Sequence, residues 1–128
     1  MNTKAPFKAG LALVGMLVMG MALAATYSGA SYIRTDGSMI VGHGYTKNTV
    51  LSSWISTQCY LVVPGWGTAA TGPYISRQNT YGPVNGYAEL AQQYHRGERM
   101  YATCVHRVAV NNVLQAAWWS QSSTITIP

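Results

Sequence analysis

Acidic residues are the scarcest functional type in this chain, three Asp or Glu against eight Lys or Arg in 128 residues. Chemistry that needs two carboxylates around one bond is therefore poorly supplied. Charged residues make up 9% of the chain and hydrophobic ones 48%, which excludes a disordered, charge-extended polymer. Phenylalanine is almost missing. The one Phe, Phe7, lies among the first eight residues, so the remainder relies on nine Tyr and four Trp for its aromatic groups. Cysteine is confined to Cys59 and Cys104, without the C-x-x-C spacing of a redox motif or a Cys-rich zinc site. The three histidines, His43, His95 and His106, fall at no metal-ligand spacing, and no cofactor is expected. No G-x-S-x-G elbow and no P-loop occurs, which removes two common routes to hydrolysis and phosphoryl transfer.

What is present begins with a three-part leader. Lys4 and Lys8 precede an apolar run from Leu11 to Leu23, and Ala22-Leu23-Ala24 closes it with small residues at the positions a signal peptidase reads. The run is about 13 residues, against the roughly 20 that a spanning helix needs, so no membrane span is expected in the mature form. The expectation is a signal peptide over 1–24 and one exported domain over 25–128, secreted or periplasmic in a bacterium. Loss of Lys4 and Lys8 lowers the net charge from +5 to +3. The remaining cations are scattered rather than gathered in a stripe, so nucleic acid is not an expected partner.

An exported chain with an even cysteine count usually pairs them, and only one intrachain pairing exists here. A Cys59–Cys104 bond closes a loop of 45 residues, for which chain-entropy arguments give roughly 4 kcal/mol of stabilisation. For a domain whose core is limited by its size, that is a large share.

The pattern along the chain is mostly strand. Tyr27 to Arg34 reads as a first strand and Asp36-Gly37 as a hairpin turn. Met39, Val41, His43 and Tyr45 then alternate, with Gly42 and Gly44 flanking His43, a sign of close backbone approach. Lys47-Asn48 reads as a turn. Thr49 to Val63 is a long β-rich run, with Cys59, Leu61 and Val63 on one face. Pro64 to Gly86 is broken by Gly and Pro and reads as a long loop around a short strand, Tyr74 to Gln78. Tyr87 to Arg96 has apolar residues Tyr87, Leu90, Ala91 and Tyr94 at helical spacing, Asn85 as a cap and Gly97 as a stop, so one short α-helix is expected there. Glu98 to Val110 and Val113 to Trp119 form a hairpin around Asn111-Asn112, and Ser123 to Ile127 adds an edge strand.

The stretch Tyr87-Ala88-Glu89-Leu90-Ala91-Gln92-Gln93-Tyr94-His95-Arg96-Gly97-Glu98-Arg99-Met100-Tyr101 resembles the helix, glycine stop and following strand of the B subunits of bacterial pentameric toxins, the cholera, Shiga and subtilase types. The resemblance runs from Tyr87 to Trp119. The helix is shorter than in the cholera type, and the cysteine positions differ from the subtilase pattern. The family implies a small OB-like β-barrel, mainly β with one short α-helix and one disulfide. It also implies a homo-oligomeric ring, binding of a glycan or host glycoprotein, and an exported catalytic subunit as partner.

Tyr and Trp carry an apolar body with a polar tip, which suits stacking on the C–H face of a pyranose. The candidate ligand contacts are Trp66, Tyr74 and Tyr81 in the Gly/Pro-rich segment, Trp118 and Trp119 near the C-terminus, and His43 between its glycines. The leading expectation is a non-catalytic exported binding module. Two alternatives stay open. Glu89, Arg99 and His106 supply the residue types of a small secreted nuclease, with no diagnostic spacing. An inhibitor or immunity protein of an exported enzyme would use the Pro64 to Gly86 segment as its reactive loop.

Overall fold

The computed structural model describes residues 26–128; the expected leader and its cleavage site lie outside them. Nine strands make up the fold: β1 (Tyr27–Asp36), β2 (Met39–Asn48), β3 (Ser52–Val63), β4 (Gly67–Thr71), β5 (Ile75–Thr80), β6 (Val84–Ala91), β7 (Arg99–Val110), β8 (Val113–Gln121) and β9 (Ile125–Thr126). They form two sheets. The smaller has the order β1-β2-β6. The larger runs β4-β3-β7-β8, with β5 also on β3 and β9 on β7. Every pairing is antiparallel.

The chain is therefore mainly β with one disulfide, as expected, but the sheets do not close into a barrel. The expected α-helix over Tyr87 to Arg96 is corrected as well. Val84–Ala91 is a strand, and only Gln92–Tyr94 turns as a single 3-10 unit. Val84, Gly86 and Ala88 point inward, and Asn85, Tyr87 and Glu89 point outward. Helical spacing and strict alternation share many positions over so short a stretch. A ten-residue helix is marginal alone, whereas as a strand this segment pairs with β2 from Met39↔Ala91 to Thr46↔Val84.

Local turn chemistry accounts for other connections. Asn111 and Asn112 both take positive φ, 54° and 61°, as a tight hairpin between β7 and β8 requires. The first hairpin turns at Gly37 and Ser38, with Asp36 already paired to Met39. Lys47-Asn48 is not a turn but the end of β2, where Asn48 is buried and its side-chain amide donates to Ser52 Oγ at 3.0 Å. Pro64 to Gly86 is not one loop either, since β4, β5 and the start of β6 occupy most of it.

The interior is divided. One apolar cluster holds Ile40, Leu61, Ala88, Met100, Ala102 and Ile127, and a second holds Ile55, Val84 and Val108. Along β3, β7, β2 and β6 the inward residues between the clusters are Thr57 and Cys59, Cys104 and His106, Gly42, Gly44 and Thr46, and Gly86. The Cys59–Cys104 disulfide joins directly opposed residues of β3 and β7 in this middle layer. Glycine on the facing sheet makes room for it. A Cβ at Gly44 would stand 2.5 Å from Cys104 Sγ, and one at Gly86 3.3 Å from Cys59 Sγ.

The polar members of the layer are joined by hydrogen bonds that fix each proton. Thr57 Oγ1 donates to the Val84 carbonyl at 2.6 Å, so it accepts from Thr46 Oγ1 at 2.6 Å. Thr46, its proton committed, accepts from His106 Nδ1 at 2.6 Å. His106 Nε2 then accepts the Ser120 hydroxyl at 2.6 Å, and Ser31 Oγ lies against Ser120 Oγ. His106 is wholly buried, and burial lowers its pKa to about 4 despite the Tyr45 carbonyl that favours the charged form. It is a neutral hydrogen-bonding hub at neutral pH.

Candidate functional site

The outward residues of the three-stranded sheet form a registered grid. Tyr32, His43 and Tyr87 make one rung across β1, β2 and β6. Arg34, Val41 and Glu89 make the next, and Ala30, Tyr45 and Asn85 the one on the other side. Directly opposed residues on neighbouring strands stand about 5 Å apart at Cβ and diagonal ones about 7–8 Å, so these groups form one neighbourhood.

Between β2 and β6 this face carries a concavity of about 470 Å³, lined by Arg34, Val41, His43, Gly44, Asn85, Gly86, Tyr87 and Glu89. Its floor is the backbone of the two glycines that face the disulfide on the other side. Because neither has a Cβ, the sheet sits close to the larger one at this point. His43 forms one wall and is backed by Tyr32, whose ring stacks on it at 5.3 Å and 27°. Tyr87, 47% exposed, is paired with His43 across the strands and also borders the concavity. Partial burial, and then the charge of Arg34, hold the His43 imidazole below its ordinary pKa, so the wall is neutral at neutral pH. Arg34 is committed to Asp36, its Nη1 donating to Oδ2 at 2.9 Å.

Of the residues singled out from sequence, only His43 lines this concavity. Trp66, 76% exposed, caps the turn between β3 and β4. Tyr74 and Tyr81 are exposed in the connections on either side of β5. Trp119 is exposed on the outer face of β8 near Tyr60, with ring centroids 5.7 Å apart. Trp118 points inward, stacks on His106 at 5.1 Å and meets Tyr27 at 6.1 Å. These five do not converge on one surface.

The nuclease set is not assembled. Glu89 lies on the outer face of the smaller sheet, Arg99 is exposed at the start of β7, and His106 is buried between the sheets. His95 sits in the turn after the 3-10 unit, its Nδ1 2.9 Å from Glu98 Oε1. Sequence reasoning missed Arg34, Asn85, Tyr87 and Glu89 as partners of His43. The signal was the alternation of Asn85, Tyr87 and Glu89 with Val84, Gly86 and Ala88, which the helical reading of Tyr87 to Arg96 obscured.

Among the described residues no group of three or more His, Cys, Asp or Glu side chains is arranged to hold a metal. Among them, too, no helix is long and apolar enough to cross a membrane. No protein family, characterised protein or solved structure matches this chain.

Proposed function

We propose that the protein is an exported, non-catalytic binding module that holds a saccharide on the outer face of its three-stranded sheet. The observation that supports this reading is the open concavity on this face, bordered by Tyr87 and by His43, which is backed by Tyr32, with polar side chains around its glycine floor. Rings beside an open concavity offer apolar faces to a sugar's C–H faces, and Arg34, Asn85 and Glu89 offer donors and acceptors to its hydroxyls. The disulfide suits an oxidising compartment outside the cytoplasm. Self-association, as in a ring of subunits, would multiply a weak single-site affinity without any new contact. Light scattering on the processed protein tests that part, with a strict monomer as the adverse result.

The direct test is a glycan array followed by titration of the best binder. Wild-type protein should bind, and His43→Ala and Tyr87→Ala should each weaken binding about tenfold or more, on the order of 1.4 kcal/mol. Binding that survives both substitutions would remove the site.

A nuclease reading has one observation in its favour: Arg34, His43 and Glu89 share the concavity. Against it, the guanidinium that would hold a phosphate is tied to Asp36, and Glu89 adds a negative charge beside the same spot. RNA cleavage lost in His43→Ala would establish the nuclease over the binding module. The inhibitor alternative has lost its long reactive loop, because Pro64 to Gly86 is mostly strand.

A further inference from the structure

The edges of the two sheets are not equally guarded. β1 carries Arg34 and Asp36, β6 carries Glu89 and β5 carries Arg77. β4 is five residues long, and its register with β3 slips between Leu61 and Val62. Short strands, charges and bulges are the devices that keep an edge from pairing with another chain. β8 differs. It runs nine residues without a charged residue or a proline, and among the described residues it pairs with β7 alone. Its one irregularity lies between Leu114 and Ala116, which leaves 116–121 regular.

The same segment presents its backbone without obstruction. Ser122 N–H donates to the Ala102 carbonyl at 2.8 Å. By the alternation of an antiparallel ladder, Trp118 and Ser120 then turn their backbone groups to β7, while Ala117 and Trp119 turn theirs outward. The large side chains are drawn away from that side. Trp118 stacks on His106 at 5.1 Å, and Trp119 leans across β7 to Tyr60 of β3 at 5.7 Å. β1 meets β8 on its inner face, through Ser31 at Ser120 and Tyr27 at Trp118.

We propose that two copies of this chain join through β8, antiparallel about a twofold axis, into one continuous sheet. A second copy is the occupant because the segment is self-complementary. A twofold axis sets a strand against itself, so any charge near the axis would meet its own sign, and β8 has none. Centred on Trp118, the pairing sets Ala117 of each copy opposite Trp119 of the other, and both residues turn N–H and C=O groups to that side. The contact is closed, since it covers the unguarded edges and leaves outward only short or charged ones. The axis stands normal to the sheets, so the two concavities open in one direction, the arrangement that holds a surface of repeated saccharides bivalently. The inference rests on the self-association part of the reading above and names its partner and contact.

The experiment measures the mass of the processed protein by sedimentation over a wide range of concentration. The wild type should reach twice the monomer mass, and Ala117→Glu should weaken that dimer about tenfold or more. The new carboxylate faces Arg107 across the strands of its own copy, which favours the fold, while two such groups meet near the axis. Residue-resolved hydrogen exchange on the wild type is the second readout. The Ala117 and Trp119 amides should exchange slowly in the dimer and fast on dilution, with Trp118 slow in both. A dimer unweakened in Ala117→Glu, with the Ala117 and Trp119 amides fast, would overturn the inference and leave self-association standing on another surface. A ring with an odd number of copies would overturn it as well, because twofold pairs build only even assemblies. A strict monomer would overturn both and leave the saccharide site to the glycan array. A monomer whose Ala117 and Trp119 amides slow only on addition of an unrelated extended peptide, such as a Val-Thr repeat, would give the edge to a foreign strand and overturn the inference.

Discussion

The two faces of the three-stranded sheet are made of alternate residues of the same strands, and they obey opposite rules. Inward, the middle of β2 and β6 presents Gly42, Gly44, Thr46, Gly86 and Ala88, small side chains flanked by Ile40 and Val84 in the two apolar clusters. Outward, the same strands present His43, Tyr45, Asn85, Tyr87 and Glu89, larger or polar groups that are half-buried or exposed. The inner face is set by a disulfide and a buried histidine. Substitutions on the two faces should therefore have separable effects, strand position by strand position.

The largest effect should come from the middle layer. Replacing both Cys59 and Cys104 by Ala should cost roughly 4 kcal/mol, as the 45-residue separation implies, read from denaturant unfolding. A loss below about 1 kcal/mol would show that the layer does not carry the fold. Acid should act next. His106 titrates near 4 in the fold and near its ordinary value of 6.5 when unfolded. The unfolded chain thus binds the extra proton first, and stability falls as pH drops from about 6.5 towards 4 and is flat above that window, by about 3 kcal/mol in all. His43 is also held below its ordinary value but is only partly buried, so His106, wholly buried, is the main source of this slope. His106→Asn should flatten it, and a slope unchanged in that variant would refute the assignment.

Gly44→Ala should cost about 2 kcal/mol, since its methyl meets Cys104 Sγ and the Ala30 carbonyl. A neutral thermal midpoint would mean the sheets are not pressed together there. The smallest stability effect belongs to the outer face. Tyr87→Ala should change stability by less than about 1 kcal/mol while weakening the proposed ligand binding about tenfold or more. A large loss of stability in that variant would erase the contrast between the faces.

Much of the fold was legible because it is written locally. The Asn111-Asn112 turn, the alternation of Met100, Ala102, Cys104, His106 and Val108, and the single possible cysteine pairing each depend on neighbouring residues or on simple counting. β6 was not legible, since Leu90, Ala91 and Tyr94 fit a helical face as well as a strand, and only pairing with β2 decides between them. The concavity was legible only at His43. Its other members come from three strands spanning Arg34 to Glu89, and the register that aligns them exists only after the sheet has formed. The exposed Trp66, Tyr74 and Tyr81 stood out in sequence because Gly and Pro surround them, but a conspicuous aromatic is not a shared surface.

The glycine floor has a bearing on how such a molecule could diversify. A Cβ at positions 42 or 44 would press into the facing sheet and one at 86 would be tight against it, while positions 43, 85, 87 and 89 lie on the opposite face, where only His43 is partly covered, by Tyr32. A lineage, or a laboratory library, could rewrite the second set freely without disturbing the first. One unchanging frame would then display a succession of different specificities.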